Sequence, residues 1–598
     1  MPEYVAPLND MRFLLHDLEY LDKLVGLPPY RDISSDVVHA ILEAAGSFAS
    51  GVLSPLNQSG DIEGAKLGKD GVVMPRGWHK AYQDFIEGGW TSLSSSEDYG
   101  GQNLPQLVST FVEEIWNGAN LAFTLSPMLT RGAQQVIASR GSDAVRRMFL
   151  PAMVRGAWTG TMVLTEPHAG SDLAAIRTRA VRHTDGTYRL HGQKIFITYG
   201  DHDMAPNVVH LVLARVEGAP HGSKGISLFV VPKILVNQDG TLGERNDVRC
   251  VSLEHKMGIH ASPTCVMAFG DNAGATGYLV GEENRGLDNM FVMMNAARFA
   301  VGLEGLGISE RAYQHALAYA KERVQGTDIS GDNSDRVKII RHPDIRRMLL
   351  SMKSRIEAMR ALSCSVAVAM DLAAHHPEGS TRSQNQAYVD LILPVTKGWF
   401  TENGVEIASL GIQIHGGIGF IEETGAAQYL RDARITSIYE GTTGIQALDL
   451  IGRKVARDKG QAIHALIDEM CQVGANLERE EDADLTHIGK ALHASLVALG
   501  DSVQFIIDTY PTDPHRAAAG AVPFLELFGI VCGGWQLGLA ALVAKRKLTE
   551  SSNNSSFYVN KIQTSRFYAD HFLCSAGGLA QKIIQGANAV LALDEMHF

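Results

Sequence analysis

None of the six cysteines (Cys250, Cys265, Cys364, Cys471, Cys532 and Cys574) stands in CxxC spacing. That argues against a structural zinc site and for reduced thiols in a cytoplasm-like compartment. Metal is therefore not an expected cofactor. No run of roughly 18 or more uncharged apolar residues occurs, so no membrane span is expected. Met1–Asp10 has neither a basic region nor an apolar h-region, and no secretory signal is read there. The chain also lacks a long Lys/Arg run and carries a formal net charge of −13. Binding to a nucleic-acid backbone needs a concentrated positive footprint, so nucleic acid is not an expected partner. There is no repeat at a fixed solenoid-like period and no long low-complexity tract.

A chain of 598 residues exceeds what one core supports, so several packed units are expected. Residues 1–35 form an N-terminal extension. In it Met11, Leu14, Leu15 and Leu18 have the spacing of a short amphipathic helix, ended by Gly26-Leu-Pro-Pro-Tyr30. Residues 36–158 read as a mainly helical domain with glycine breaks at Glu87-Gly-Gly-Trp90 and Asp98-Tyr-Gly-Gly101.

The period changes over 159–285. Val181–Thr198 reads as a hairpin around Asp185-Gly186, and strand-like runs follow at His210–Val216 and Gly225–Val231. Helical periodicity returns over 286–455 and continues through an additional helical domain at 456–598. In that tail roughly four helices are expected, broken near Glu480–Leu485, Tyr510–Pro514 and Ser551–Ser556. The expected fold class is α+β, mainly α. It comprises an N-terminal helical domain, a central β-barrel-like domain, a C-terminal four-helix bundle and a C-terminal helical extension.

Several segments could carry chemistry. Leu164-Thr-Glu-Pro-His-Ala-Gly-Ser-Asp172 is a polar turn after an apolar strand. Thr165 and Ser171 could donate hydroxyls to a planar polar cofactor, and Gly170 would let backbone approach it; a plain polar turn is the alternative. Gln413-Ile-His-Gly-Gly-Ile-Gly419 permits close approach to a phosphate, or simply joins two helices. Arg323 closes a helical run, where on its own it reads as a solvated arginine complementing the helix dipole. Tyr439-Glu-Gly-Thr-Thr-Gly-Ile-Gln446 sets Glu440 beside Gly441. A carboxylate kept from water has its pKa raised above the ordinary value of about 4.3 and becomes a stronger base. Its alternative is a dull helix-start acid.

Together these segments resemble the acyl-CoA dehydrogenase family, whose signatures Thr165–Asp172, Phe196-Ile197-Thr198, Gln413–Gly419 and Tyr439–Gln446 match closely. The resemblance implies FAD as cofactor, held by Met162, Leu164, Thr165, Gly170, Ser171, Phe196, Ile197, Thr198, Arg323, Gln413, Gly416, Gly417, Thr442, Thr443 and Gly444. It implies Glu440 as catalytic base, and Ser171, Asn295, Arg298 and Gly441 against an acyl-CoA substrate. Three departures stand out: Phe196 where Trp is more usual, Asn295 where a carboxylate is usual, and Val324-Gln325 where an aromatic follows the arginine.

The long form, with its two extensions, resembles bacterial dehydrogenases of fatty acyl-CoAs and of 3-methylmercaptopropionyl-CoA. It implies a cytoplasmic homodimer passing electrons to an electron-transfer flavoprotein, in fatty acid β-oxidation. An oxidase of the same fold is a second enzymatic reading. A non-catalytic, DNA-binding flavoprotein of that fold is a further one, which the net charge of −13 disfavours.

Overall fold

The structure is a computed structural model describing residues 3–237, 239–331, 335–550 and 554–598. It divides into two compact units. One comprises 48–104 and 119–300; the other comprises 1–47, 105–118 and 301–598.

In the first unit the β-domain is built on a ring of strands. Tyr188–Thr198 pairs with Ala275–Leu279, which pairs with Ile226–Pro232, and that strand with Asn207–Val216. Arg179–Arg182 then pairs with both Asn207–Val216 and Tyr188–Thr198 and closes the circuit. Within these five strands closure removes the edges of an open sheet, while Val248–Leu253 and Trp158–Val163 stand at the two ends of the strand order. The hairpin read at Asp185-Gly186 is present, with Gly186 in the left-handed region.

Asn207–Val216 is buried on both faces, as its apolar sequence requires. Val212, Ala214 and Val216 pack with Leu190, Phe229 and Ala275. Val209, Leu211 and Leu213 face the opposite way, onto Ala133, Phe149, Met290 and Met293 from helices. This two-residue alternation follows from strand geometry.

The second unit is helical. Pro343–His375 and Gly379–His415 form a long helical hairpin. Within it, Arg360 is buried and ion-paired to Glu114, Glu310 and Asp10, and Lys561 bridges Asp10 to Glu357. The N-terminal segment, the hairpin and the tail are thus tied by charges that are largely shut off from water, Asp10 being the most exposed of them. Burial is the largest influence on Glu114 and pushes it up to about 7 in spite of Arg360.

Some expectations need correction. The N-terminal helix does not run to Gly26: Leu8–Arg12 widens into a π-turn at Phe13–Asp17, and Glu19 in the left-handed region stops it. Met11, Leu14 and Leu15 are buried as their spacing predicts. A short β-hairpin, Val324–Thr327 with Arg336–Lys338, interrupts the helical stretch after Arg323. Among the described residues the tail has four long helices, at Gln461–Glu478, Ala483–Thr509, Ala521–Glu550 and Ser555–His571. Among the described residues three short ones accompany them, at Pro514–Ala519, Ala576–Gln585 and Ala587–Leu591. Of the expected break at Ser551–Ser556, residues 551–553 lie outside the described residues.

Among the described residues, Ser35–Glu63, Gly286–Glu322 and Ala521–Glu550 are long and apolar enough to cross a membrane by length and composition. In the last two most of the apolar window is buried inside the protein, at 72% and 83%. Burial on all sides produces the same all-round apolar pattern as lipid does.

Candidate active site

In the first unit the signature turn is clamped from below. Glu166 and Ala169 exchange backbone hydrogen bonds of 3.0 Å each, folding Pro167-His168 into a tight loop. The Glu166 side chain is buried and accepts from Arg177 N (2.6 Å), Thr178 N (2.9 Å) and Thr178 Oγ1 (2.6 Å). Lys194 Nζ, fully buried, lies 2.9 Å from Glu166 and donates to Leu164 O at 2.8 Å. Burial by itself would raise the Glu166 carboxyl. Lys194 and the Thr178 and Arg177 donors outweigh it and hold the group below its ordinary value. Lys194 is drawn down to about 8 by burial, against the pull of Glu166.

On this base Thr165 is half-buried, with its carbonyl accepting from Ile195 N at 2.9 Å. Gly170 and Ser171 are exposed, Leu164 is half-buried, and Met162 is buried in the strand Trp158–Val163 opposite Leu211. Next to it Tyr188–Thr198 carries a bulge: Ile197 pairs with Cys265 and Lys194 with Met267. One residue on the partner strand therefore faces two, and bulges of this kind re-aim a side chain. Here the residue is Phe196, left-handed (φ 60°) and 59% exposed. A bulky residue at positive φ is strained, so the geometry spends backbone energy to present an aromatic ring at the surface. Ile197 is buried and Thr198 half-buried. In the same unit Asn295 is exposed and Arg298 buried, with Arg298 Nη1 3.5 Å from Asn295 Oδ1.

In the second unit Glu440 lies in a turn between the helices Ala426–Ala433 and Thr443–Asp449. Thr442 is the N-cap, accepting from Ile445 N at 3.3 Å, so Glu440 stands ahead of the cap and is not a helix-start acid. Its backbone is left-handed (φ 57°), and Gly441 follows at φ 92°. Only glycine fits the second position: a Cβ there would come within 2.7 Å of Gln446 Nε2. Gln446 Nε2 donates to Glu440 O (3.1 Å) and Gly441 O (3.2 Å), and the buried Lys397 Nζ donates to Gly441 O at 2.7 Å. The Glu440 side chain is half-buried.

Thr443 is buried, with Oγ1 donating to Glu402, and Gly444 is half-buried. Behind the turn the Tyr439 hydroxyl donates to Glu304, a carboxyl 2% exposed. Arg323 and Gln413 are exposed, and Arg323 Nη2 lies 3.3 Å from Gln325 Oε1. Their elements meet where Tyr319 stacks on His415, ring centroids 4.6 Å apart. Gly416 (φ 66°) and Gly417 are exposed, with nothing within 4 Å of where a Cβ would stand.

Four residues that shape these two loops have no role in the sequence reading: Glu166, Lys194, Lys397 and Glu304. Glu166 lies inside the 164–172 turn and Lys194 two residues before Phe196, but nothing in the sequence pairs them. Lys397 and Glu304 carry a faint signal, a lone charge inside an otherwise apolar helical run.

Comparison with known proteins agrees across the whole chain. Family models match in order: "Acyl-CoA dehydrogenase, N-terminal domain" at 36–157, "middle domain" at 161–272, "C-terminal domain" at 284–456, and "Acetyl-CoA dehydrogenase C-terminal like" at 463–594. The 3-methylmercaptopropionyl-CoA dehydrogenase of Ruegeria pomeroyi is 47% identical over 96% of this chain and 97% of its own length. The broad-specificity linear acyl-CoA dehydrogenase FadE5 of Mycobacterium tuberculosis is 35% identical over 100% of both chains. Among solved structures, the acyl-CoA dehydrogenase complexed with FAD from Bacillus anthracis has the same fold. Its TM-score is 0.74 at 20% identity, over 96% of this chain and 91% of that one. The chain belongs to the acyl-CoA dehydrogenase family.

Proposed function

We propose that this enzyme removes two hydrogens from the α and β carbons of an acyl-CoA thioester, with Glu440 as base, giving the trans-2-enoyl-CoA. The observation that carries this reading is the turn at 439–446. It holds a half-buried carboxylate in a fixed left-handed backbone beside a glycine, anchored by Lys397 and Gln446. Thioester α-protons are weak acids, so a base must be held in place rather than left to search. Gly441 leaves room for the thioester carbonyl; Ser171, Asn295 and Arg298, in the other unit, are the residues that the family resemblance assigns to acyl-CoA.

The donor set suits FAD. In the first unit the hydroxyls of Thr165, Ser171 and Thr198 and the presented ring of Phe196 fit a planar, polar-edged group; in the second, Thr442 and Thr443 are the hydroxyls that the family resemblance assigns to the cofactor. Met162, Leu164 and Ile197 supply the apolar side, and Gly170 and Gly444 keep backbone open. Arg323, Gln413, Gly416 and Gly417 offer a guanidinium, an amide and open backbone for the phosphate and adenine portions. FAD, when bound, supplies the acceptor for the β-hydride.

The 47% identical relative acts, by its name, on 3-methylmercaptopropionyl-CoA, and that thioester is the substrate we favour. Linear fatty acyl-CoAs in β-oxidation are the second reading, supported by the name of the 35% identical relative. We further infer a cytoplasmic homodimer that hands electrons to an electron-transfer flavoprotein. Exposed Ile418, Phe420 and Ile421 beside the Gly416-Gly417 turn support burial against a second copy. Functional domains at 36–158, 159–285, 286–455 and 456–598, after an extension at 1–35, are part of the same reading.

Anaerobic titration of the FAD-loaded protein decides between substrates. Flavin bleaching fastest with 3-methylmercaptopropionyl-CoA supports the first reading. A rate that climbs along straight-chain acyl-CoAs from about four to sixteen carbons supports the second. No bleaching with any thioester overturns both.

A further inference from the structure

Glu304 has no place in the chemistry so far, yet its setting is unusual. It stands in the helix Gly286–Glu322 with almost no exposure. One carboxyl oxygen accepts from the Tyr439 hydroxyl, and the other, Oε1, is buried without a hydrogen bond among the described residues. Tyr439 precedes Glu440 in the chain, so this contact reaches the turn that carries the base.

Titratable groups on three elements act on Glu304. They are Tyr439 and Glu440 from the turn, Lys397 from Gly379–His415, and Glu113 from the helix Gln106–Arg140. Burial is the largest influence and pushes Glu304 up to about 8. Tyr439 and Lys397 pull it down, while Glu440 and Glu113 push it further up.

We propose that Glu304 is a positioning residue for Glu440: its carboxyl fixes Tyr439 and the turn that holds the base, and its charge state sets how strongly Glu440 takes a proton. The coupling is reciprocal, because two carboxylates in one poorly solvated region disfavour each other's ionisation. While Glu304 keeps its proton, Glu440 ionises without a second negative charge behind it. Once Glu304 ionises, the substrate's proton on Glu440 relieves a repulsion, and proton removal gains. No proton passes between the two acids. This inference rests on Glu440 being the base.

The test is the pH profile of anaerobic flavin bleaching under single turnover, with infrared detection of protonated carboxyl groups in the substrate-free protein. In the parent enzyme the rate should rise about threefold to tenfold across a step near pH 8. A carboxyl band should titrate over the same range.

Glu304→Gln should lose both the step and the band. Tyr439→Phe removes a hydrogen bond that favours the ionised form, so it should keep the step but displace it upward by about one pH unit. A step unchanged in Glu304→Gln would overturn the proposal. So would a uniform loss of rate at all pH values, the mark of a purely structural residue. Should Glu304→Gln fail to fold, the parent's infrared titration and the Tyr439→Phe shift decide: no titrating carboxyl, or an unmoved step, overturns it. Glu440→Gln keeps the tests separate, since normal bleaching in that variant removes the base reading itself.

Discussion

The turn at 164–172 and the turn at 439–446 use the same device and reach opposite electrostatic results. Each is held by one buried lysine donating to a main-chain carbonyl, Lys194 to Leu164 and Lys397 to Gly441. Each also has a buried glutamate beneath it. Glu166 gathers two backbone N–H groups, a hydroxyl and an ammonium, and its carboxyl sits below the ordinary value. Glu304 gathers one tyrosine hydroxyl and rises to about 8. Burial is the first influence on both, so the number of donors decides which glutamate stays ionised. An ionised, saturated carboxylate makes a rigid support. A half-satisfied one remains free to change charge, which is useful only beside a group whose basicity matters.

The largest expected effect comes from breaking the first clamp. Lys194→Met leaves Glu166 buried without its cation and should cost about 3–5 kcal/mol in chemical unfolding, with loss of FAD retention. An unfolding midpoint equal to the parent's would show that Glu166 needs no cation. Lys397→Met removes one of two donors to the Gly441 carbonyl and leaves Gln446 as the other, so about 0.5–1.5 kcal/mol is expected, together with slower bleaching. If both lysine variants lose the same amount, the distinction between the two turns fails.

Phe196→Gly relieves a left-handed backbone and should stabilise by about 0.5–1 kcal/mol while weakening FAD binding. A destabilised variant would mean the ring packs as core.

The pH dependence sharpens the contrast without mutation. Glu166 has a lowered folded pKa, so its contribution is present above the unfolded value of about 4.3 and is lost as pH falls through the folded one. Glu304 has a raised folded pKa of about 8. Its protonated form is favoured by folding, and that contribution fades as pH rises from the unfolded value toward 8. Glu304→Gln should therefore gain in melting temperature relative to the parent between pH 5 and pH 8, and a constant gap would contradict the sign.

Much of this was legible in the residues. The apolar run His210–Val216 and the Asp185-Gly186 turn mark strands where strands stand. The run Tyr439–Gln446 pointed to Glu440 beside a glycine whose φ of 92° explains the choice of residue. The N-terminal helix was read too long because a left-handed glutamate, Glu19, ends it with no local signal. Glu304 and Lys397 leave only a faint mark in the sequence for a different reason. Their partners stand 135 and 44 residues away in the chain, and periodicity reports only on neighbours.

The most direct measurement is rapid mixing of FAD-loaded Glu440→Gln with its acyl-CoA under anaerobic conditions. Glutamine keeps the size and polarity of the side chain and removes the base. The account predicts thioester binding, seen as a shift of the flavin spectrum, with bleaching slowed by about a thousandfold or more. Bleaching at the parent's rate would contradict it.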